Sequence, residues 1–210
     1  TLPLIVSFKS KNIMTSQQRS KGRVLLNHWY NESTLEEREL GKAWYNEAKE
    51  YVKILSLKFN TPEIICAGVV SALSPNNKWD RNKLDAYSVL DAVSKGKASD
   101  QVKVCTYNNN KRKAFAIARG DIRILKQSPK TYSFAKNISG HDTDKVTIDK
   151  WHLRATQTRS LSPKKCKTSV TSLQYKLLEK DCQKVAKKYN INPSTLQATI
   201  WVTIRNRWTS

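Results

Sequence analysis

Lys130 and Asp149 are the two side chains whose types and settings offer chemistry. Lys130 lies in Ser128-Pro129-Lys130-Thr131, where Ser as N-cap and Pro in the first turn open a helix. A cation at the positive end of a helix dipole is disfavoured, so this amine is expected to lose its proton more readily than a free lysine. Asp149 ends the apolar run Val146-Thr147-Ile148 and can cap the helix that begins with Lys150-Trp151-His152. An activated amine and a fixed carboxylate are the parts of a nucleophile and its charge partner.

The elements that must position them read almost entirely as helix. Thr34-Leu35-Glu36-Glu37 is a capping box that opens a helix to about Lys58. Its apolar stripe is Leu40, Trp44, Ala48, Val52 and Leu55. Thr61-Pro62-Glu63 starts a second helix, N-capped by Thr61, whose body from Ile64 to Leu73 is so apolar that it must be buried. Asp80 is expected to cap a third, with Leu84, Tyr87, Leu90 and Val93 as its stripe. A helix follows Tyr107 and ends at Gly120, and the Lys130 helix runs from Pro129 to Ser139, with Phe134 and Ile138 inward and Gly140 as its stop. After Asp149 a helix extends to about Thr158. Ser160 to Ser169 reads as an exposed basic loop. Helices over 172–189 and 193–208 close the chain, the last with Leu196, Ile200, Ile204 and Trp208 on one stripe. Only 146–148 looks extended. The expected fold class is all-α, with residues 1–30 a loosely packed N-terminal segment and 31–210 a single helical domain.

Composition narrows the partners. The 210 residues carry 38 Lys and Arg against 17 Asp and Glu, a formal charge of +21. So large an excess opposes compactness and is usually kept for a polyanion. The basic residues are spread along the chain, which makes nucleic acid the leading partner. No run reaches the roughly 18 apolar residues of a membrane span, and no basic amphipathic helix argues for a membrane surface. Leu2-Pro3-Leu4-Ile5-Val6 is too short for a signal-peptide core, and Met14, the single methionine, is a candidate start. Cys66, Cys105, Cys166 and Cys182 are too scattered for a zinc or iron–sulfur set, and Cys66 and Cys182 fall in apolar helical patterns. The expectation is an intracellular, reducing compartment, no cofactor, no metal, and a monomer.

Further segments bear on the site. Leu73-Ser74-Pro75-Asn76-Asn77-Lys78-Trp79-Asp80 is a polar loop directly after the most buried helix; its amides and indole can reach into a groove or a base stack. Tyr107-Asn108-Asn109-Asn110-Lys111-Arg112-Lys113 offers backbone amides at a helix start together with cations, a phosphate clamp in composition. Lys164-Lys165-Cys166-Lys167 is either a DNA-contacting flap or a tether.

In their order along the chain these pieces resemble the helix-hairpin-helix DNA glycosylase superfamily, the endonuclease III-like proteins, and in particular its short phage-type members. The resemblance covers roughly residues 61–158. Leu73-Ser74-Pro75-Asn76 stands where the family has a Leu-Ser-Ala-Gln-type loop, and Tyr107-Asn108-Asn109-Asn110-Lys111 where it has a Tyr-Asn-x-Lys-type helix start. Lys130-Thr131 matches its Lys-Thr pair, and Ile148-Asp149-Lys150-Trp151 its Val-Asp-Thr-His-type segment. The family's Leu-Pro-Gly-x-Gly hairpin is missing: Ile124-Leu125-Lys126-Gln127-Ser128-Pro129 takes its place, so the phosphate grip is either rebuilt by Lys126, Ser128 and the helix start or lost.

The resemblance implies a two-lobed helical fold with a cleft, double-stranded DNA as the partner, and a base-excision glycosylase with an abasic-site lyase activity that acts on a flipped damaged or modified base. It makes Lys130 the nucleophile at C1′ and Asp149 the group that stabilises the cationic sugar. Asn76 or Asn77 would fill the vacated stack, and Trp79, Tyr107 or Trp151 would stack on the base. Lys78, Asn109, Lys111, Lys113, Ser128 and His152 are the remaining expected DNA contacts, with a structural role for His152 as the competing reading. Two alternatives stand beside it: a DNA-binding protein without chemistry on the same scaffold, and an enzyme performing other chemistry on modified bases.

Overall fold

A computed structural model describes residues 14–141, 144–161 and 166–208. These residues are all-α, and none of them forms a strand. The helices are α1 (Ser16–Glu32), α2 (Leu35–Phe59), α3 (Glu63–Leu73), α4 (Trp79–Ser94), α5 (Asn108–Ala118), α6 (Pro129–Ile138), α7 (Lys150–Ala155), α8 (Ser172–Lys188) and α9 (Pro193–Arg207). Short 3-10 turns over Ser99–Gln101 and Ile122–Gln127 complete the set. No described helix is long and apolar enough to cross a membrane.

Local chemistry fixes most helix starts. Thr34 and Glu37 form the expected reciprocal capping box on α2, and Thr15 with Gln18 and Thr171 with Gln174 do the same for α1 and α8. Ser128 caps α6 through the Thr131 amide. Two expected caps are displaced. Thr61 bonds back to the Phe59 carbonyl, leaving Pro62 as the N-cap of α3. Lys78 is the N-cap of α4, which places Asp80 inside the first turn, where it pairs with Lys83 at 2.9 Å.

The buried apolar side chains form two cores. The first draws on α2 to α6, with Val52, Leu55, Val69, Val70, Phe115 and Ile138 at its centre. The second draws on α1, α7, α8 and α9, with Leu26, Trp29, Leu178, Ile200 and Ile204. Cys66 and Cys182 are fully buried, one in each core. The N-terminal segment expected to be loosely packed differs in its described part: α1 is capped, and Leu25, Leu26, Trp29 and Tyr30 are buried. The stripe expected on α4 is also corrected. Leu84 and Tyr87 are exposed while Ala86, Val89 and Leu90 face inward, a rotation of the buried face. The helix after Asp149 stops at Ala155 instead of continuing to about Thr158. Residues 1–13 and the Lys164-Lys165 part of the basic loop lie outside the described residues.

The extended run before Asp149 has no sheet to join, and side chains satisfy its backbone. The Tyr175 hydroxyl donates to the Val146 carbonyl at 2.7 Å and accepts from the Ile148 amide at 3.0 Å. Glu179, one turn along α8, accepts from the Val146 amide at 3.1 Å, and Asn137 of α6 donates to the Lys145 carbonyl at 2.8 Å. Buried backbone groups need such partners, so α6 and α8 together fix where Asp149 emerges.

Candidate active site

The Asp149 carboxylate caps α7 with one oxygen. Oδ1 accepts from the Trp151 amide at 2.9 Å and the His152 amide at 2.8 Å. Oδ2 has no hydrogen-bond partner among the described residues, and the residue lines a large cavity. Desolvation raises the carboxyl above the usual carboxylate range, opposed by the His152 amide, by the charge of Lys130, by the Trp151 amide and by Lys150. Lys130, held at the start of α6, lines the same cavity. The two sequence-predicted reacting groups therefore meet across one space, one from each core's helices.

That cavity measures about 960 Å³ and takes its walls from both cores. Its apolar side is aromatic. The Trp44 ring lies 5.9 Å from Phe134 at an interplanar angle of 30°, 5.9 Å from Trp201, and 5.4 Å from Trp79. Offset rings at these spacings form a stable box with planar faces to offer. At its edge the Tyr45 hydroxyl donates to Gln197 Oε1 at 2.9 Å and lies 3.2 Å from Thr147 Oγ1. Gln197 is 5 % exposed and lines the cavity, and its Nε2 has no partner among the described residues. A buried amide with one end anchored presents its other end as a donor to whatever enters.

Of the expected binding residues, Asn76, Asn77, Lys78, Trp79, Ser128 and Trp151 line this cavity. Asn76 sits at the loop tip with a left-handed φ of 57° and donates to the Tyr107 hydroxyl at 3.0 Å. Asn77 is committed elsewhere: its Nδ2 bonds Asp85 at 2.9 Å and the Leu73 carbonyl at 3.3 Å. Trp151 is engaged as well, edge-on to Trp208 and with the Arg154 guanidinium 4.7 Å from its centre. Tyr107 and Asn109 are exposed outside the cavity. Lys111 donates to the Val102 carbonyl at 3.0 Å. Lys113 and Ser128 come together around a second, smaller cavity of about 140 Å³.

His152 points inward. It is 2 % exposed, and neither ring nitrogen has a partner among the described residues, so it presents nothing to a phosphate at the surface. Burial pushes its imidazole down to about 4. The unfolded chain takes up this proton below about pH 6.5 while the folded chain resists, so the contribution to stability is complete above that pH and is lost as pH falls toward 4. The loss amounts to about 3 kcal/mol over the window. Asp149, raised in the folded state, acts in the opposite direction over its own window. Urea unfolding between pH 7 and pH 4.5 should therefore show the native chain losing stability relative to His152→Leu as pH falls, since the Asp149 contribution is common to both. An equal slope in both would remove His152 as the cause.

Trp44, Tyr45, Gln197 and Trp201 were not singled out as site residues by their sequence patterns. Trp44 reads as part of the α2 core stripe, and nothing local marks Gln197. Among the described residues no group of three or more His, Cys, Asp and Glu is placed to hold a metal.

The described chain is helical, and its Lys130 and Asp149 face one aromatic-walled cavity. A family model matches residues 9–208, and the chain belongs to that family, DUF7178, described as a family of unknown function. No curated protein and no solved structure matches it.

Proposed function

We propose that this protein is a DNA base-excision glycosylase with an abasic-site lyase step, acting as a monomer on a damaged or modified base turned out of duplex DNA. The observation that carries the reading is the shared cavity of Lys130 and Asp149 beside a box of Trp44, Trp79, Phe134 and Trp201. A flipped base is a planar π system that stacks on such rings, and Gln197 supplies a donor to its edge. The charge of +21 supports a polyanionic partner, whose binding should weaken steeply with salt through counterion release. The likeness to the helix-hairpin-helix glycosylases noted in the sequence points the same way.

In this mechanism the deprotonated Lys130 amine attacks C1′ and the glycosidic bond breaks, its electron pair leaving with the base. Asp149 Oδ2 stabilises the positive charge that develops on the sugar and takes the proton that the attacking amine releases. Desolvation raises the carboxyl, making it a better proton acceptor than a free aspartate. Ring opening, with that proton passed from Asp149 to O4′, then gives a Schiff base on Lys130; the freed carboxylate takes a C2′ proton and the C3′–O bond breaks, its electron pair leaving with the 3′ phosphate.

Borohydride trapping on duplex DNA with one abasic site tests this directly. The native chain should form a covalent adduct, and Lys130→Ala should form none while binding the DNA equally well. Binding without an adduct in the native chain would sink the lyase reading. Plain DNA binding on this scaffold would then lead if the base also stays intact, and other base chemistry if its mass changes without an abasic site.

A further inference from the structure

The loop after α3 and the segment before α5 are separate in sequence but joined in space by one buried carboxylate. Asp85, on α4, is 1 % exposed. Its Oδ1 accepts from Arg81 Nε at 2.8 Å. Its Oδ2 accepts from Asn77 Nδ2 at 2.9 Å and from the Cys105 backbone amide at 2.8 Å. The first of these bonds holds the 74–78 loop and the second holds the 105–107 segment. Thr106 donates to the Pro75 carbonyl at 3.1 Å, and Asn76 donates to the Tyr107 hydroxyl at 3.0 Å. Beyond these stitches the joined loops expose Asn76 and Tyr107, the latter 65 % exposed, with Lys78 and Cys105 exposed beside them.

A carboxylate removed from water is costly unless its lone pairs are filled by charged or amide donors. Here they are filled by three groups, two of which belong to different loops. We propose that Asp85 is a positioning residue that locks the two loops into one rigid prong, so that Asn76 and Tyr107 enter a duplex together when it is opened. The inference rests on the proposed base-flipping function and adds to it the residue that aligns the prong. Asp85 touches no substrate; it acts through Asn77 and the Cys105 amide.

Asp85→Asn is the informative change. Whichever way the new amide turns, an NH2 group faces a donor: Arg81 on one side, or Asn77 and the Cys105 amide on the other. The shape is kept and the clasp is broken. The readouts are fluorescence of 2-aminopurine beside an abasic site in duplex DNA, which reports opening without chemistry, and borohydride trapping on duplex and on single-stranded abasic DNA. Single strands need no opening. The variant should lose the fluorescence rise and trap duplex DNA about tenfold more slowly, while single-strand trapping stays within about twofold. An equal fall on both substrates, or no fall on either, overturns the proposal. A native chain that opens the duplex but traps nothing defeats the lyase step alone, and fluorescence still tests the prong. A native chain that never opens the duplex overturns the prong as well. Should Asp85→Asn unfold by circular dichroism, Thr106→Val removes the stitch to Pro75 together with the acceptor of Asn110 Nδ2 on α5 and should show a smaller fall in the same direction; a native-like fluorescence rise in it would then overturn the proposal.

Discussion

Replacing Asp149 with asparagine is expected to slow base release by roughly 10²- to 10⁴-fold, the range spanned by a positioned acid–base group. DNA affinity should change little, because the carboxylate makes its hydrogen bonds to its own helix. Asparagine keeps Oδ1, so the caps to the Trp151 and His152 amides survive and α7 should keep its place. What disappears is the negative charge on Oδ2 and its capacity to take a proton. The proposed chemistry divides at this residue. Base loss needs the carboxylate, whereas condensation of Lys130 with a preformed abasic site needs it far less. Single-turnover release of the base should collapse in Asp149→Asn, with trapping on abasic DNA largely retained, and Lys130→Ala should lose trapping altogether. Equal loss of both reactions in Asp149→Asn would assign the residue a purely structural role. The same charge carries a pH signature. Because Asp149 is raised by desolvation, the native rate should fall as pH drops through a value above that of a free aspartate. The residual rate of the asparagine variant should lack that limb.

Gly41→Ala should destabilise the fold and disturb the site together. Where α2 crosses α9, a Cβ at Gly41 would lie 2.5 Å from Thr199 Cα and 2.6 Å from its backbone nitrogen. Those are backbone atoms, so the helices themselves must separate. Alanine gains up to about 1 kcal/mol in helix propensity, but overpacking costs of about 1–3 kcal/mol oppose it. With a clash this deep against backbone, the cost wins. A net loss near 1–2 kcal/mol lowers Tm by roughly 2–8 °C in a chain of this size. The crossing also sets the distance between Trp44 and Tyr45 on α2 and Gln197 and Trp201 on α9. Base release should therefore fall even where the protein remains folded, and the tryptophan emission should shift. Gly22→Ala is the matched control. Its Cβ would meet Thr156 Cβ at 3.6 Å, an ordinary contact, so propensity should leave it neutral or slightly stabilised. If Gly41→Ala is as stable as Gly22→Ala, the crossing is not as rigid as its geometry implies.

The helices and most of their ends are legible from local sequence alone. The Thr34–Glu37 box, the Ser128-Pro129 start and the Asp149 cap are settled within four residues, because a helix satisfies its backbone locally and its orphan amides take the nearest oxygen. Lys130 and Asp149 were legible for the same reason: each is a helix-start residue. What surrounds them depends on packing between segments distant in sequence. Trp44 and Trp201 meet only because α2 and α9 cross closely at Gly41 and Thr199. Gln197 becomes a donor to the cavity only because Tyr45, distant in sequence, takes its other end. Asn76 and Asn77 are neighbours of one type, yet Asp85 commits the second to the scaffold and leaves the first exposed. Leu84 and Tyr87 fitted an apolar stripe as well as Ala86 and Val89 did, and only the packing of α4 against α3 and α5 chose between them. Periodicity marks several faces of a helix as buriable, and the choice among them belongs to whichever helices arrive there from elsewhere in the chain.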